Sequence, residues 1–190
     1  SEMCIRDRYM DIYLKGLEEP LELFDEMDRI SNNVIIMGEN GHGKSFQVKN
    51  ILSQIKDKKF IVITNHLEDF ASFKDIILYS NRNEILDIGD YSDSVIVFEC
   101  PDCPTDKQME YINKLNKSTR MENAILITTW NTDADDYYDI VNTSFKSNAK
   151  YIIKLNKENH SSGCKYLIKQ NDDTRWNIAN AKTSKANMRY

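Results

Sequence analysis

The sequence predicts an α/β fold, a three-layer sandwich on a mostly parallel sheet with a hairpin at its C-terminal end. Three observations predict it. Short apolar segments at residues 34–37, 60–64, 95–98 and 124–129 alternate with longer segments whose apolar residues recur at helical spacing; a strand buried on both faces reads as an unbroken apolar run. A glycine-rich turn separates the first such strand from the helix after it. Finally, 190 residues with 41% hydrophobic and 29% charged content suffice for one domain with a real core. With 3 Pro and 6 Gly, the chain is neither collagen-like nor a low-complexity linker. Its longest apolar runs fall far short of the roughly 20 residues of a membrane helix, so no membrane partner is expected.

Residues 1–9 are set apart as an artefactual or disordered N-terminus, and residues 10–190 are read as a single domain. The string Met3-Cys4-Ile5-Arg6-Asp7-Arg8 resembles the translation of a transposon end used in sequencing-library preparation, which puts the natural start near Tyr9 or Met10. A genuine N-terminal arm is the alternative. Leu21, Leu23, Phe24, Met27 and Ile30 give residues 20–30 an amphipathic, near-helical spacing. Val34-Ile35-Ile36-Met37 is the first strand, 45–55 a helix, 60–64 the second strand and 66–79 a further helix carrying Leu67, Phe70, Phe73, Ile76 and Ile77. Residues 80–94 are polar and unassigned, and 95–98 is the third strand. A helix over 105–118 has Thr105 as N-cap and Gln108 as capping-box partner. The fourth strand is 124–129, a helix is expected over 133–145, and 151–155 is a fifth strand. Residues 165–169 then return as its hairpin partner around Ser161-Ser162-Gly163.

The chemistry concentrates at Gly38-Glu39-Asn40-Gly41-His42-Gly43-Lys44-Ser45, which fits Gly-x-x-x-x-Gly-Lys-Ser/Thr between a buried strand and a helix. Glycines let successive N–H groups turn into one concavity, and the helix N-terminus adds its positive dipole end. That is a phosphate loop, with Phe46 continuing it into the helix. The expected ligand is ATP: Lys44 reaches the β- and γ-phosphates and the Ser45 hydroxyl ligates Mg²⁺.

Such a loop requires an acid at the end of a neighbouring strand to hold the metal and orient water. Ser94-Val95-Ile96-Val97-Phe98-Glu99 supplies one, which makes Glu99 the candidate for metal and water. Cys100 stands where a second acid is common, so Asp102 is either a substitute or a plain loop acid. At the end of the fourth strand Thr129 is the first choice for a γ-phosphate sensor, followed by Thr128 and Asn131. Threonines also simply fit strands.

Four Cys without a secretory pattern point to a reducing, cytoplasmic setting. Cys100 and Cys103, with His160 and Cys164, have the residue types of a zinc site, although the second half has one His and one Cys instead of a further pair. Charge is uneven: residues 1–144 carry 15 Lys and Arg against 27 Asp and Glu, and residues 145–190 carry 10 against 3. The basic C-terminal part either faces nucleic acid or is a solvated strand surface. Lys150, Lys154, Lys165 and Lys169 are the candidate phosphate contacts.

Over residues 30–157 the chain resembles the viral genome-packaging ATPases of the poxvirus and giant-virus type, a branch of the FtsK/HerA class. The resemblance rests on the phosphate loop, the strand ending at Glu99, Arg120-Met121-Glu122-Asn123 before the fourth strand, and Asn148-Ala149-Lys150 before the fifth. It implies ATP hydrolysis with Mg²⁺, a homo-oligomeric ring, double-stranded DNA as the translocated partner, and capsid or portal components nearby, in host cytoplasm or virion. It also implies that Arg120 acts across a subunit interface on the transferring phosphoryl group; capping the preceding helix is the alternative. The chain departs from the family in its single acid at Glu99, in Thr129 or Trp130 where Gln is common, and in lacking a nuclease domain. Rival readings are an AAA+-like helicase loader, which needs a helical lid, a small-molecule kinase, which needs an arginine-rich lid, and a slow nucleotide-binding switch.

Overall fold

The computed structural model describes residues 9–14, 20–24, 32–39, 41, 43–80, 85, 87–99, 105–131, 149–157, 164–170 and 177–180. In chain order these form β1 (Tyr9–Ile12), β2 (Leu21–Phe24), β3 (Asn33–Gly38), α1 (Lys44–Gln54), β4 (Lys59–Ile63), β5 (Ile76–Tyr79), β6 (Ser94–Glu99), α2 (Asp106–Ser118), β7 (Ile125–Asn131), β8 (Ala149–Lys157), β9 (Cys164–Gln170) and β10 (Asn177–Asn180). Eight strands form one sheet in the order β10-β9-β8-β3-β7-β6-β4-β5. From β8 to β5 all neighbours are parallel; β9 and β10 run antiparallel, so the expected C-terminal hairpin is present and gains a third strand.

Successive side chains of the central strands point to opposite faces, which explains their unbroken apolar runs. Val34, Ile36, Val62, Val97, Ile127 and Ile153 meet Val48, Ile51 and Leu52 of α1 on one face. Ile35, Met37, Ile61, Phe98 and Leu126 meet Ile112 and Leu115 of α2 on the other. The fold is therefore a three-layer α/β sandwich.

Two segments expected as helices contain strands instead. In residues 20–24 the decisive period is two, not 3.6: Leu21 and Leu23 are buried while Glu22 between them is exposed, and β2 pairs antiparallel with β1, while residues 25–30 of the expected helix lie outside the described residues. A two-stranded ribbon is marginal alone; this one is held on the α1 layer. Tyr13 N donates to Gln54 Oε1 at 2.7 Å, and Asn50 Nδ2 and Gln54 Nε2 each donate to the Tyr13 carbonyl at 2.8 Å. In residues 66–79 a 3₁₀ turn at Leu67–Asp69 leads through a loop into the parallel edge strand β5. Phe70 is wholly buried and Phe73 packs edge-on against Phe60, with ring centroids 6.0 Å apart. The three-residue spacing marks anchors of a crossover loop, not the face of a helix. The helix expected over 133–145 and the turn at 161–163 lie outside the described residues.

Short polar residues in the left-handed region lead into four parallel strands: Asp57 (φ 62°) before β4, Asp75 (φ 53°) before β5, Asp93 (φ 54°) before β6 and Asn123 (φ 51°) before β7. Asp and Asn tolerate this backbone better than other non-glycine residues.

The start of β3 is pinned by a buried polar network. Asn33 Nδ2 donates to the carbonyl and Oδ1 of Asn116 at 3.0 and 2.9 Å, and Asn33 Oδ1 accepts from Thr119 Oγ1 and from Leu126 N, both at 3.0 Å. One side chain joins β3, the end of α2 and β7. Asn33→Ala is expected to destabilise the fold by about 2–4 kcal/mol, because several buried partners lose their bonds together. Chemical denaturation checks this, and a cost below about 1 kcal/mol contradicts the network's role.

Candidate phosphate-binding site

The sheet order reverses at β3. The chain builds β4, β6 and β7 on one side of it and then crosses to place β8 on the other. In an open α/β sheet, ligands bind at the carboxyl ends of the strands at such a switch point. The loop after β3 lies there and leads directly into α1.

Gly41 (φ 81°) and Gly43 (φ 88°) both adopt the left-handed region, which side chains with a Cβ avoid. Gly43 is the N-cap of α1, and its carbonyl accepts from Gln47 N at 3.0 Å. Lys44 folds back into the loop: its Nζ donates to the carbonyls of Gly38 and Glu39, both at 2.8 Å, and the side chain is buried. The ammonium is thus fixed over the concavity where phosphates would sit. Phe46 follows half-buried on α1, while Asn40 and His42 lie outside the described residues.

Glu99, buried at the end of β6, faces this loop. Ser45 Oγ donates to its Oε1 at 2.9 Å, and Thr64 Oγ1 donates to its Oε2 at 2.7 Å. Thr129 lies opposite Glu99 in the β6–β7 ladder and opposite Ile36 in the β3–β7 ladder. The α1 face of the sheet thereby changes character at its carboxyl edge. Phe60-Val62 gives way to Thr64, Val95-Val97 to Glu99, Ile125-Ile127 to Thr129, and Val34-Ile36 to Gly38. Thr64 was missed in the sequence reading, although this switch from apolar to polar at period two was a signal for it.

The other sequence candidates fall elsewhere. Thr128 projects to the opposite face, where its Oγ1 accepts from Trp130 Nε1 at 2.9 Å and Trp130 is buried with the α2 layer. Asn131 is opposite Gly38 in register. Arg120 is exposed in the 3₁₀ turn Thr119–Glu122 before β7, at the amino ends of the parallel strands, whereas the phosphate loop follows the carboxyl end of β3. It cannot reach its own chain's loop. Cys100, Asp102, Cys103 and His160 lie outside the described residues, and among the described residues no His, Cys, Asp and Glu cluster is arranged to hold a metal.

Among the candidate phosphate contacts, Lys150 is buried. A bulge between the Asn33 and Val34 pairings shifts it out of register, and it is buried with its ammonium 5.8 Å from the Tyr151 ring centroid. Burial pushes its pKa below the usual lysine value, opposed by the Glu22 carboxylate. Lys154, on β8, remains partly exposed; Lys165 and Lys169 take their places on β9 opposite Asn156 and Ile152. No described helix is long and apolar enough to cross a membrane.

The donor set fits Mg²⁺: a hydroxyl at Ser45 and a carboxylate at Glu99 are hard oxygen groups, few in number, beside a loop for phosphates. Solved structures share this arrangement of strands and helices. A KaiC-like protein, PH0186 of Pyrococcus horikoshii OT3, superposes with TM-score 0.55 at 14% identity over 91% of this chain and 93% of that one. The likeness is one of fold. The EccC structure comprising ATPases 2 and 3 from Thermomonospora curvata, in complex with a signal sequence peptide, matches with TM-score 0.59 at 13% identity over 96% of this chain and 42% of that one. The pCW3 conjugation coupling protein TcpA with ATPγS matches with TM-score 0.62 at 12% identity over 92% of this chain and 66% of that one. No known family profile and no curated protein matches the sequence.

Proposed function

We propose that the chain is a Mg²⁺-dependent ATPase that drives movement along double-stranded DNA, as a homo-oligomeric ring of the viral packaging kind. The observation that carries the ATPase reading is the convergence of Lys44, Ser45 and Glu99 at the end of the parallel sheet, with Glu99 hydrogen-bonded to the very hydroxyl that would ligate the metal. Bound Mg²⁺ would neutralise charge on the β- and γ-phosphate oxygens. Lys44 would transfer its hydrogen bonds from the loop carbonyls to phosphate, Glu99 would balance the dication and orient water, and Thr129 would lie within the same row of polar strand ends. Arg120, remote from its own loop, suits a role toward a neighbouring subunit.

The DNA reading is supported by the net positive charge of residues 145–190 and by the likeness to a conjugation coupling protein. Against a helicase loader, the described C-terminal part is strand, not a helical lid. The test is steady-state ATP hydrolysis over a protein titration, with and without duplex DNA. A rate rising more than linearly with protein and increased by DNA is expected. A rate indifferent to both would favour a stand-alone nucleotide switch. Replacing Lys154, Lys165 and Lys169 together with Ala is expected to reduce the log–log salt slope of DNA binding by about three units; an unchanged slope would remove these lysines from the contact surface.

A further inference from the structure

We propose that Thr64 is a positioning residue for Glu99, through a hydrogen-bond chain that runs from the His66 backbone amide to the carboxylate. The inference deepens the ATPase reading and rests on it.

The direction of the chain is settled by chemistry. His66 N can only donate, and it does so to Thr64 Oγ1 at 2.9 Å. The hydroxyl has a single proton, and it goes to Glu99 Oε2 at 2.7 Å. Thr64 is wholly buried just after β4, and its own amide donates to the Tyr79 carbonyl of β5 at 3.0 Å, which extends the β4–β5 ladder by one residue and holds the backbone under the hydroxyl. The other oxygen, Oε1, accepts from Ser45 Oγ at 2.9 Å. The two oxygens of Glu99 are therefore held from two sides, the α1 start and the β4 end, and the carboxylate plane has little freedom to turn. If Ser45 were to turn its oxygen to a metal, the Thr64 bond would still hold Glu99 in place. A single acid without a neighbouring second one, since Cys100 follows it, depends more on such orientation than a paired acid would.

The test uses the full chain with Thr64→Val, which exchanges the hydroxyl for a methyl at constant shape, and Thr64→Ser, which keeps the hydroxyl. Three readouts are taken: kcat and KM for MgATP, affinity for MgATPγS, and the thermal melt. Thr64→Val is expected to reduce kcat about 10- to 100-fold, the scale of a misoriented catalytic group, with KM and MgATPγS affinity within about threefold of the parent. Thr64→Ser is expected to retain kcat within about threefold. A valine variant at the parent rate overturns the proposal. So does a folded serine variant as slow as the valine one, because shape and not the hydroxyl would then matter. If the valine variant does not fold, Thr64→Ala against Thr64→Ser is scored the same way. If the parent itself shows no hydrolysis dependent on Lys44, it is the ATPase reading that fails, and the parent measurement separates that outcome from failure at Thr64.

Discussion

Lys44→Ala is expected to abolish ATP hydrolysis, with kcat reduced by about 10³-fold or more, while the fold is retained. In the structure the Lys44 ammonium donates to the carbonyls of Gly38 and Glu39 at 2.8 Å, so it is already placed over the loop before any phosphate arrives. Charge that develops on the β- and γ-phosphate oxygens in the transition state meets a fixed, dry cation there, and alanine removes it. The folded state loses the two hydrogen bonds of this buried side chain, a net cost of a few kcal/mol, against a core that α1 still forms through Val48, Ile51 and Leu52. Lys44→Met separates charge from packing, since it keeps most of the side-chain stem. Both variants should be equally inactive in a steady-state assay and should melt cooperatively. Hydrolysis retained in either would place the reaction somewhere other than this loop.

Glu99→Gln is expected to reduce kcat by about 10²- to 10³-fold and to raise the Mg²⁺ concentration required for half-maximal rate. The substitution preserves shape and removes one negative charge. Glu99 accepts from two hydroxyls, Ser45 and Thr64, and a carboxamide can accept at one of its ends only. If the NH₂ end faces Ser45, the serine oxygen must accept from it and is withdrawn from the metal. If it faces Thr64, it meets a hydroxyl that already accepts from His66 N. Either way the geometry that holds both the dication and the water is spoiled, whereas nucleotide held by the loop amides and Lys44 should still bind in the presence of chelator. Rate measured against Mg²⁺ concentration, alongside nucleotide affinity without Mg²⁺, decides this. A variant with the parent's rate and Mg²⁺ dependence would mean that another acid serves the metal.

What was legible in the sequence follows from the range of the interactions. The glycine-rich loop is eight consecutive residues, so its motif is legible locally, and the structure places it between β3 and α1 as the sequence predicts. Strands β3, β4, β6, β7 and β8 were legible because burial on both faces leaves unbroken apolar runs. Helix α2 was legible to its N-cap, since Thr105 Oγ1 accepts from Gln108 N at 3.2 Å, but the expected reciprocal capping-box bond to Gln108 Oε1 is not formed. The misread segments are those in which short-range periodicity is ambiguous. Leu21 and Leu23 with Phe24 fit a helix turn as well as a strand until β1 supplies a partner for them. Phe70 and Phe73 keep helical spacing because each fills a hole in the core, with no helix between them.

The sequence by itself determined an α/β fold with a glycine-rich loop between its first central strand and the helix after it, and singled out Lys44, Ser45 and Glu99, because each of those signals is carried by residues close together along the chain. Only the tertiary structure decided the company they keep. Thr64 joins Glu99 across 35 residues of chain, Thr128 turns away to Trp130 while Thr129 faces Glu99's row, Lys150 is buried at a bulge, and Arg120 stands before the amino end of β7, at the other end of the strands from the loop. Those outcomes depend on strand order and register, which arise from packing between segments distant in sequence, and a one-residue change of register reverses which face a side chain occupies.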